Sequence, residues 1–243
     1  MSYCLAIQTK LGLVFASDSR TNAGLDQANV ATKLTTFVKP GERVFVLLTS
    51  GGLSLSQSVL AVLHGEYGAG KGLAGAATMY EAARIVGDAV RTVSSRDREH
   101  LEKDGIAFNV NFIIGGQIGT QPHELYMIYP QGNPLRATPE SPFLQIGESK
   151  YGRPILDRAV RYDTTSLEQA TKLALISLDS TMRSNLTVGP PVDLVVYHAN
   201  ELKVRQQMRL GADDPQLMMI RTQWEQELRA ASQRLPEVKF PEA

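Results

Sequence analysis

Residues 2–18 read SYCLAIQTKLGLVFASD, two apolar runs joined by a short turn. The runs Tyr3–Gln8 and Leu13–Ser17 contain β-favouring residues, and Gly12 lies in the turn between them, which predicts a β-hairpin. The second run ends in Asp18. A charge at the inner end of an apolar strand costs free energy unless a partner neutralises it. The hairpin therefore defines both the start of the fold and a candidate site.

Working outward from this hairpin, strands and helices are both predicted in pairs. Further strands are predicted over Leu34–Val38, Arg43–Thr49, Phe108–Gly115, Glu124–Tyr129, Phe143–Ile146, Val192–His198 and Leu202–Met208. Helices are predicted over Leu53–His64, Ala74–Val93, Tyr151–Val160 and Leu167–Met182, and a last helix begins at Pro215 after a cap at Asp213 or Asp214. Residues 94–105, SSRDREHLEKDG, are expected to be a solvated helix end and loop, and Pro130–Pro142 a loop.

Strands that pair with their neighbours in the chain argue against a doubly wound parallel sheet. We expect an α+β class, with two antiparallel sheets stacked face to face and helix pairs outside them. We see no linker, so residues 1–243 are interpreted as one domain, with residues 213–235 as a C-terminal helical extension. Its apolar stripe, Leu217, Ile220, Trp224 and Leu228, is expected to dock on the body rather than bind a partner.

Composition excludes several classes of function. Lys+Arg and Asp+Glu number 25 each, so nothing indicates an electrostatic nucleic-acid binder. Cys4 is the only cysteine, which excludes an intrachain disulfide, fits a reducing compartment and is interpreted as a buried strand residue. We find no export signal and no apolar run of about 18 residues, so a cytoplasmic protein without a membrane segment is expected.

Motifs for cofactors and metals fail on inspection. Gly65–Lys71 has the spacing of a phosphate-binding loop, but Gly72 stands where Ser or Thr would hold magnesium. The segment GGQIG, residues 115–119, is interpreted as a turn between strands. The four histidines lie far apart without metal-ligand spacing. No cofactor and no metal are therefore expected.

Ser2 offers unusual chemistry if Met1 is removed, because one residue then carries a hydroxyl and a free α-amine. An α-amine has a reference pKa of about 8, so a large neutral fraction is available as a base. Lys33, at the start of the run ATKLTTF, would lower the pKa of the Ser2 hydroxyl, and Asp18 would orient the lysine. Backbone N–H groups of TSGG, Gly51 above all, would stabilise an oxyanion.

A plainer interpretation stays open for each of these residues. Asp18 and Lys33 form an ordinary surface ion pair in that interpretation, and the glycines at Gly51 and Gly52 form a tight strand-to-helix turn.

These segments resemble the β-type subunits of proteasomes, within the superfamily of N-terminal-nucleophile hydrolases. The resemblance rests on GLVFASDSRTNAG (12–24), Lys33, TSGG (49–52), QIGES (145–149) and LDS (178–180) before VDLVVYH, and it covers about residues 2–205. The start at Met-Ser, the loop SDSRTNAG, the segment DSTMRSNLTVGPPVDLVVYH and the C-terminal helix are most similar to the bacterial ancestral-β-subunit group, Anbu.

The resemblance implies a four-layer αββα fold and an amide-cleaving site. It implies Ser2 as nucleophile, Asp18 and Lys33 as its activators, and Gly51 as an oxyanion donor. Asp179 and Ser184 match positions that support the amine, although the spacing to Ser184 is longer here. Thr21, Asn22, Ala31 and Thr49 match positions that line the substrate pocket.

Three departures bear on this function. Ser2 stands where most proteasome subunits have Thr, whose methyl group fixes the hydroxyl rotamer, so catalysis is expected to be weaker. Glu148 stands where the family usually has Ser, and a carboxylate there would raise the amine's pKa. Asn22 replaces a family Thr.

Three functions therefore stay open: a peptidase, another amide hydrolase or acyl-transfer enzyme acting on a modified peptide or small molecule, and a non-catalytic assembly subunit. We expect a homo-oligomer, in a ring or ring-like form, with a peptide or amide substrate. An ATP-dependent unfoldase as partner would favour proteolysis, and ligase-like companions encoded nearby would favour the second function.

Overall fold

Two antiparallel sheets of five strands each form the centre of the structure, a computed structural model that describes residues 2–23 and 27–240, with the side chains of residues 2–21 and 29–240. The strands are β1 Tyr3–Thr9, β2 Gly12–Asp18, β3 Arg20–Ala23, β4 Gln27–Val30, β5 Leu34–Lys39, β6 Arg43–Gly51, β7 Val110–Ile118, β8 Glu124–Ile128, β9 Pro134–Arg136, β10 Phe143–Gly147, β11 Val192–His198 and β12 Gln206–Leu210. The first sheet has the order β10-β1-β2-β11-β12, the second has the order β5-β6-β7-β8-β9, and β3 and β4 form a two-stranded sheet.

Five α-helices accompany the sheets in the described part of the chain. They are α1 Leu53–Gly68, α2 Met79–Lys103, α3 Arg153–Ala159, α4 Leu167–Ser184 and α5 Pro215–Gln233, and a short 3₁₀ helix covers Gly72–Ala74. The expected mixed α+β class with antiparallel sheets is confirmed. None of these helices has the length and apolar character needed to cross a membrane.

Side chains between and outside the sheets form three buried clusters. One lies between the sheets and joins Phe15 and Cys4 of the first sheet to Val46 and Ile113 of the second. Another packs the second sheet against α1 and α2, and the third packs the first sheet against α3, α4 and the start of α5. Burial of these apolar faces supplies most of the driving force for the fold.

Some boundaries differ from the sequence prediction. Helix α2 continues through the charged segment to Lys103, where a solvated helix end followed by a loop was expected, because ion pairs one turn apart, such as Arg98–Glu102, support a solvated helix. Strand β12 starts at Gln206 rather than Leu202, since Leu202 has a φ of 47° and belongs to the turn. The pair β3 and β4 was not predicted, nor was β9 inside the expected loop Pro130–Pro142.

The apolar contacts of the last helix with the buried core come from its first half. Asp214 caps it by accepting hydrogen bonds from the backbone N–H groups of Gln216 and Leu217, at 2.9 and 3.2 Å. Leu217 is fully buried, and Ile220 packs partly against the same cluster. Leu228, farther along the predicted stripe, is 49% exposed. The second half of α5 therefore extends away from the core.

Candidate functional site

Asp18 and Lys33 form a buried ion pair at the end of the opening hairpin. The distance from Lys33 Nζ to Asp18 Oδ1 is 2.6 Å, and the two side chains are 5% and 0% exposed. Lys33 Nζ also donates to the Arg20 carbonyl at 2.7 Å. The alternative of an ordinary surface ion pair is therefore wrong. A buried pair must be well hydrogen-bonded to repay its loss of hydration, and this one is.

The same carboxylate binds the backbone next to Ser2. Asp18 Oδ1 accepts a hydrogen bond from the Tyr3 N–H at 2.9 Å, and Asp18 Oδ2 accepts one from the Gly189 N–H at 3.2 Å. On the other side, the Ser2 carbonyl accepts a hydrogen bond from the Glu148 N–H at 2.8 Å. The peptide group that joins Ser2 to Tyr3 is thus held at both its N–H and its C=O. Met1 lies outside the described residues.

Gly147 makes this clamp possible. Its φ is +85°, and a Cβ added there would overlap the carbonyl oxygen of Ser2. Strand pairing explains the proximity, because Tyr3 of β1 lies opposite Gly147 of β10. Only glycine combines this backbone conformation with so close an approach. Gly147 lies in the segment QIGES, which carried part of the family resemblance, but no role was predicted for it.

Gly51 ends β6 and begins the turn into α1, as the spacing predicted. Its φ is +105°, and an added Cβ would collide with the Asn109 carbonyl. The following N–H, that of Gly52, donates to that carbonyl at 2.8 Å. The interpretation as a tight strand-to-helix turn therefore holds, and Gly51 is also exposed to the cleft described next.

A cleft with a volume of about 820 Å³ opens over these residues. The predicted residues that line it are Ser2, Thr21, Ala31, Lys33, Thr49 and Gly51. The side chain of Asn22, also predicted to line the pocket, lies outside the described residues. Further polar residues that were not predicted also line the cleft: Ser50, Ser56, Gln57, Asn109 and Asn111. Lys33 is the only charged residue of this lining among the described residues.

Asp179 and Ser184 lie at different depths on α4. Asp179 is buried and forms an ion pair with Arg221 of α5, with 2.5 Å between Arg221 Nε and Asp179 Oδ1. Ser184 is exposed at the C-terminal end of α4. The next residue, Asn185, donates a hydrogen bond from its side-chain amide to Glu148 Oε2 at 3.3 Å. The structure therefore brings Ser2, Lys33 and Gly51 around one cleft, with Asp18 buried against Lys33, whereas Asp179 and Ser184 are not part of the lining.

A second hydrogen-bonded network, buried at Ser19 and Asp193 and exposed at Thr32 and Arg209, lies next to the pair and was not predicted. Ser19 Oγ donates to Asp193 Oδ2 at 2.9 Å, and Arg209 Nη1 donates to both oxygens of Asp193, at 3.1 and 3.2 Å. Arg209 Nη1 also reaches Thr32 Oγ1 at 3.1 Å. The network thus ties β12 to the residues that flank Asp18 and Lys33. No local signal in the sequence marks it, since its members are far apart in the chain.

Burial dominates the electrostatics of this region. It raises the pKa of Asp18 above its usual range, and the Lys33 ammonium and the Tyr3 and Gly189 N–H groups partly offset that rise. Burial also raises the pKa of the Cys4 thiol strongly, and its Sγ donates to the Thr49 carbonyl at 3.4 Å. Cys4 is fully buried, as predicted, and remains a thiol at neutral pH.

The described residues contain no cluster of three or more His, Cys, Asp or Glu side chains arranged to hold a metal ion. The groups with reactive or polar chemistry at the cleft include the serine hydroxyl, the lysine of the ion pair and backbone N–H groups.

Comparison with known proteins gives one consistent result. No protein-family model matches the chain, and no curated protein matches it. Solved structures, in contrast, do match the chain. An Anbu mutant from Hyphomicrobium sp. strain MC1 is 45% identical over 99% of this chain and 100% of its own, with a TM-score of 0.92. Anbu from Yersinia bercovieri is 44% identical over the same shares, also with a TM-score of 0.92.

A third relative carries information on assembly. Anbu from Pseudomonas aeruginosa is 46% identical over 98% of both chains, with a TM-score of 0.89, and its structure is described as a helical assembly of the Anbu complex. Identity at this level over nearly the whole length exceeds what a shared fold alone would give. The chain belongs to the Anbu family, the ancestral β-subunits.

Proposed function

We propose that this chain is a proteasome-like N-terminal-nucleophile hydrolase that cleaves amide bonds, with peptides as substrates. One observation carries the proposal. Asp18 is fully buried and binds both the N–H of Tyr3, directly after Ser2, and the ammonium of Lys33, which lines the cleft. A surface ion pair would need neither the burial nor the backbone contact. The three buried clusters support a four-layer αββα arrangement for this fold.

The proposed mechanism starts once Met1 has been removed. The neutral α-amine of Ser2 takes the proton of its own hydroxyl, and the hydroxyl oxygen attacks the substrate carbonyl carbon. Lys33 lowers the pKa of that hydroxyl through its positive charge, and Asp18 fixes the position of Lys33. The backbone N–H of Gly51 stabilises the tetrahedral oxyanion.

Collapse of this intermediate breaks the amide C–N bond. The protonated amine gives its proton to the leaving amine, and an ester remains on Ser2. A water molecule then attacks the ester carbonyl, and the α-amine of Ser2 accepts its proton. The acid product leaves and the hydroxyl regains a proton, which restores the starting site.

The remaining predicted residues take supporting roles in this proposal. Thr21, Asn22, Ala31 and Thr49 line the substrate pocket. Asp179 acts through α4, which it fixes to α5, rather than on the amine directly. Ser184 takes no part, since it is exposed at the end of α4 and the described hydrogen bonds include none from it to Ser2.

The test is covalent labelling of the mature protein. Intact mass should first show a chain that begins at Ser2. A peptide with an electrophilic warhead should then add once per chain, and peptide mapping should place the adduct on Ser2. The S2A variant should take up no label. Ser56→Ala is the matched control, because Ser56 lines the same cleft but donates to the Leu53 carbonyl, and it should label normally. Retained Met1, or labelling of S2A, would contradict the proposal.

A second candidate, cleavage or transfer at a small polar amide or a modified peptide, is favoured by the cleft lining. Ser50 Oγ is buried there and has no hydrogen-bond partner among the described residues, and Asn109 and Asn111 border the same space. This candidate would be favoured if the protein is labelled at Ser2 and cleaves small amide substrates but does not cleave peptides. Protein that neither labels nor turns over any amide would indicate the third function, a silent assembly subunit.

We further propose that the chain acts as a cytoplasmic homo-oligomer, in a ring or ring-like form. The helical assembly described for the Pseudomonas aeruginosa relative supports oligomerisation. An ATP-dependent unfoldase or another partner protein is left open by this proposal.

A further inference from the structure

The outer face of the first sheet is left partly uncovered next to its last strand. An apolar groove of about 390 Å³ lies between the start of α4 and strands β11 and β12. Leu194 and Val196 form its floor, Leu167 borders it from α4, and Met208 borders it from β12. Glu168, Thr171, Lys172, His198 and Gln206 complete the lining, but most of the surface that faces the groove is apolar, so water there gains little by staying.

The strand beside this groove also has a free edge. Strand β12 is the last of its sheet and pairs only with β11 in the described part of the chain. Half of the backbone N–H and C=O groups of an edge strand point away from its neighbour, and another extended segment can pair with them. Gln206 and Met208 face the groove, and Leu210 on the same side is buried in the core.

The segment after α5 has the complementary pattern. Residues 234–240 form neither helix nor strand, and they are exposed throughout. Val238 is 78% exposed and Phe240 is 84% exposed. Pro236, Val238 and Phe240 alternate with Glu237 and Lys239, so from Pro236 onward an extended conformation places the apolar residues on one face and the charged residues on the other, while Leu235 precedes this pattern on the charged face.

This segment does not reach the groove of its own chain. Helices α4 and α5 run in the same direction, because Arg221 pairs with Asp179 and Glu225 pairs with Arg183 four residues farther along both helices. The groove lies at the start of α4, near Lys172, whereas α5 continues past the end of α4.

The distances follow from helix geometry. From Arg183 back to Lys172 the axis covers about 17 Å, and from Glu225 to the end of α5 about 12 Å, at about 1.5 Å per residue. The tail therefore starts about 29 Å from the groove, whereas the five residues from Arg234 to Val238 span at most about 17 Å when fully extended.

From these observations we propose that residues 234–240 of one copy add as a strand to the free edge of β12 in a second copy, with Val238 and Phe240 filling the groove. Backbone hydrogen bonds to β12 supply the pairing, and the groove supplies the selection of apolar side chains. This joint goes beyond the proposed catalytic activity, and it gives successive copies a head-to-tail contact, the type that builds rings or helices.

A cysteine cross-link tests the contact directly. Met208→Cys and Val238→Cys are placed in two different chains, one of them tagged to differ in mass, and the chains are produced together. Met208 is the middle residue of Gln206, Met208 and Leu210 on one side of β12, and Val238 is the middle residue of Pro236, Val238 and Phe240, so aligning the two sets places them opposite each other for either strand direction. Cα atoms of paired strands are about 4.5–5.5 Å apart, which suits a disulfide. The native Cys4 is buried and should not compete.

The expected result is a cross-linked pair containing one chain of each kind on a non-reducing gel. Met208→Cys combined with Leu228→Cys is the control, since Leu228 is exposed on α5 outside the tail. Absence of the mixed product overturns the proposal. So does a single chain carrying both cysteines that forms only an internal disulfide.

A second measurement does not depend on cysteine chemistry. The double change Val238→Asp and Phe240→Asp should raise the protein concentration needed for assembly at least tenfold in sedimentation velocity. Lys239→Asp changes the net charge equally but lies on the other face of the extended tail, and it should assemble normally. Both variants change only exposed residues, and thermal melting of the unassembled chain checks their folding. Equal assembly of the two variants overturns the proposal.

Discussion

Asp179 and Arg221 join helix α4 to the C-terminal helix α5 through an ion pair with 2.5 Å between Arg221 Nε and Asp179 Oδ1. The carboxylate is 4% exposed, whereas the guanidinium side chain is 34% exposed. The family resemblance implied that Asp179 supports the amine of Ser2. In this chain its carboxylate also fixes the helical extension to the body, a contact that the separation of 42 residues hides from sequence reasoning.

Replacing Arg221 by Met should destabilise the protein more than its partly exposed position suggests. The change leaves the Asp179 carboxylate buried without its ion-pair partner, and an unpaired buried charge costs up to about 3–5 kcal/mol. Because water reaches Arg221, we expect about 1–3 kcal/mol in urea unfolding at matched oligomer concentration. Asp179→Asn combined with Arg221→Met should lose less than the sum of the single changes.

A neighbouring pair provides the control for this prediction. Arg183 and Glu225 bridge the same two helices, but their side chains are 59% and 39% exposed. Arg183→Met should therefore cost about 1 kcal/mol or less. If Arg183→Met and Arg221→Met lower the free energy of unfolding equally, the burial of Asp179 does not strengthen its ion pair.

Replacing Asp18 by Asn should remove most of the reactivity of Ser2. The amide can still accept from the Tyr3 N–H, but it carries no charge to hold Lys33. The rate of labelling by the electrophilic peptide should fall by about 10²-fold or more. Asp18→Asn combined with Lys33→Met should be little worse than either single change, because the two residues act as one unit. A double variant whose losses multiply would contradict that interpretation.

The labelling rate should depend on pH in two stages. The neutral α-amine is lost first as pH falls below about 8, its reference pKa, and the rate then drops about tenfold per pH unit. Asp18 must be ionised, and burial raises its pKa, so its protonation begins at higher pH than for an ordinary aspartate at about 3.9. Below that raised pKa the rate should fall more steeply.

The variant Asp18→Asn checks the assignment of the second stage. Its residual labelling should follow the amine alone, with no added steepness at low pH. The electrophile should be uncharged, so that titration of the reagent itself does not contribute to the pH dependence of the labelling rate. If the wild-type protein shows a single stage down to about pH 4, the proposed role of the Asp18 charge is wrong.

The fold was predictable wherever the pattern was local. The hairpin of β1 and β2, the pair β5 and β6, and helix α4 follow from alternation and from helical spacing, and their observed bounds agree within a few residues. Over residues 94–103 the extent of the helix was underestimated, because a charged segment lacks an apolar stripe, yet its ion pairs one turn apart support the helix.

The site was predictable only in part, for a physical reason. Asp18 stood out because an apolar strand ended in a charge, and its need for a partner pointed to Lys33. Gly189, Asp193 and Arg209 reach the same region from more than 150 residues away, and nothing in their own segments marks them. Such contacts arise from the packing of β11 beside β2, which local patterns do not encode.

Gly147 offers the sharpest test of how Ser2 is held. Gly147→Ala meets two costs, a φ of +85° and a Cβ that overlaps the Ser2 carbonyl oxygen. Gly41→Ala is a matched control, because Gly41 has a φ of +78° and open space where its Cβ would lie. Both variants should lose about 1 kcal/mol of stability from the backbone conformation, measured as the free energy of unfolding in urea.

Only Gly147→Ala should also lose reactivity. The new methyl group pushes on the peptide group between Ser2 and Tyr3, and a displacement of about 1 Å in a reacting group can cost about 10²-fold in rate. The labelling rate of Gly41→Ala should equal that of the unchanged protein. A Gly147→Ala variant that is destabilised but labels at the normal rate would mean that Ser2 keeps its position without the clamp. The hydrogen bonds from Glu148 and to Asp18 would then be structural alone.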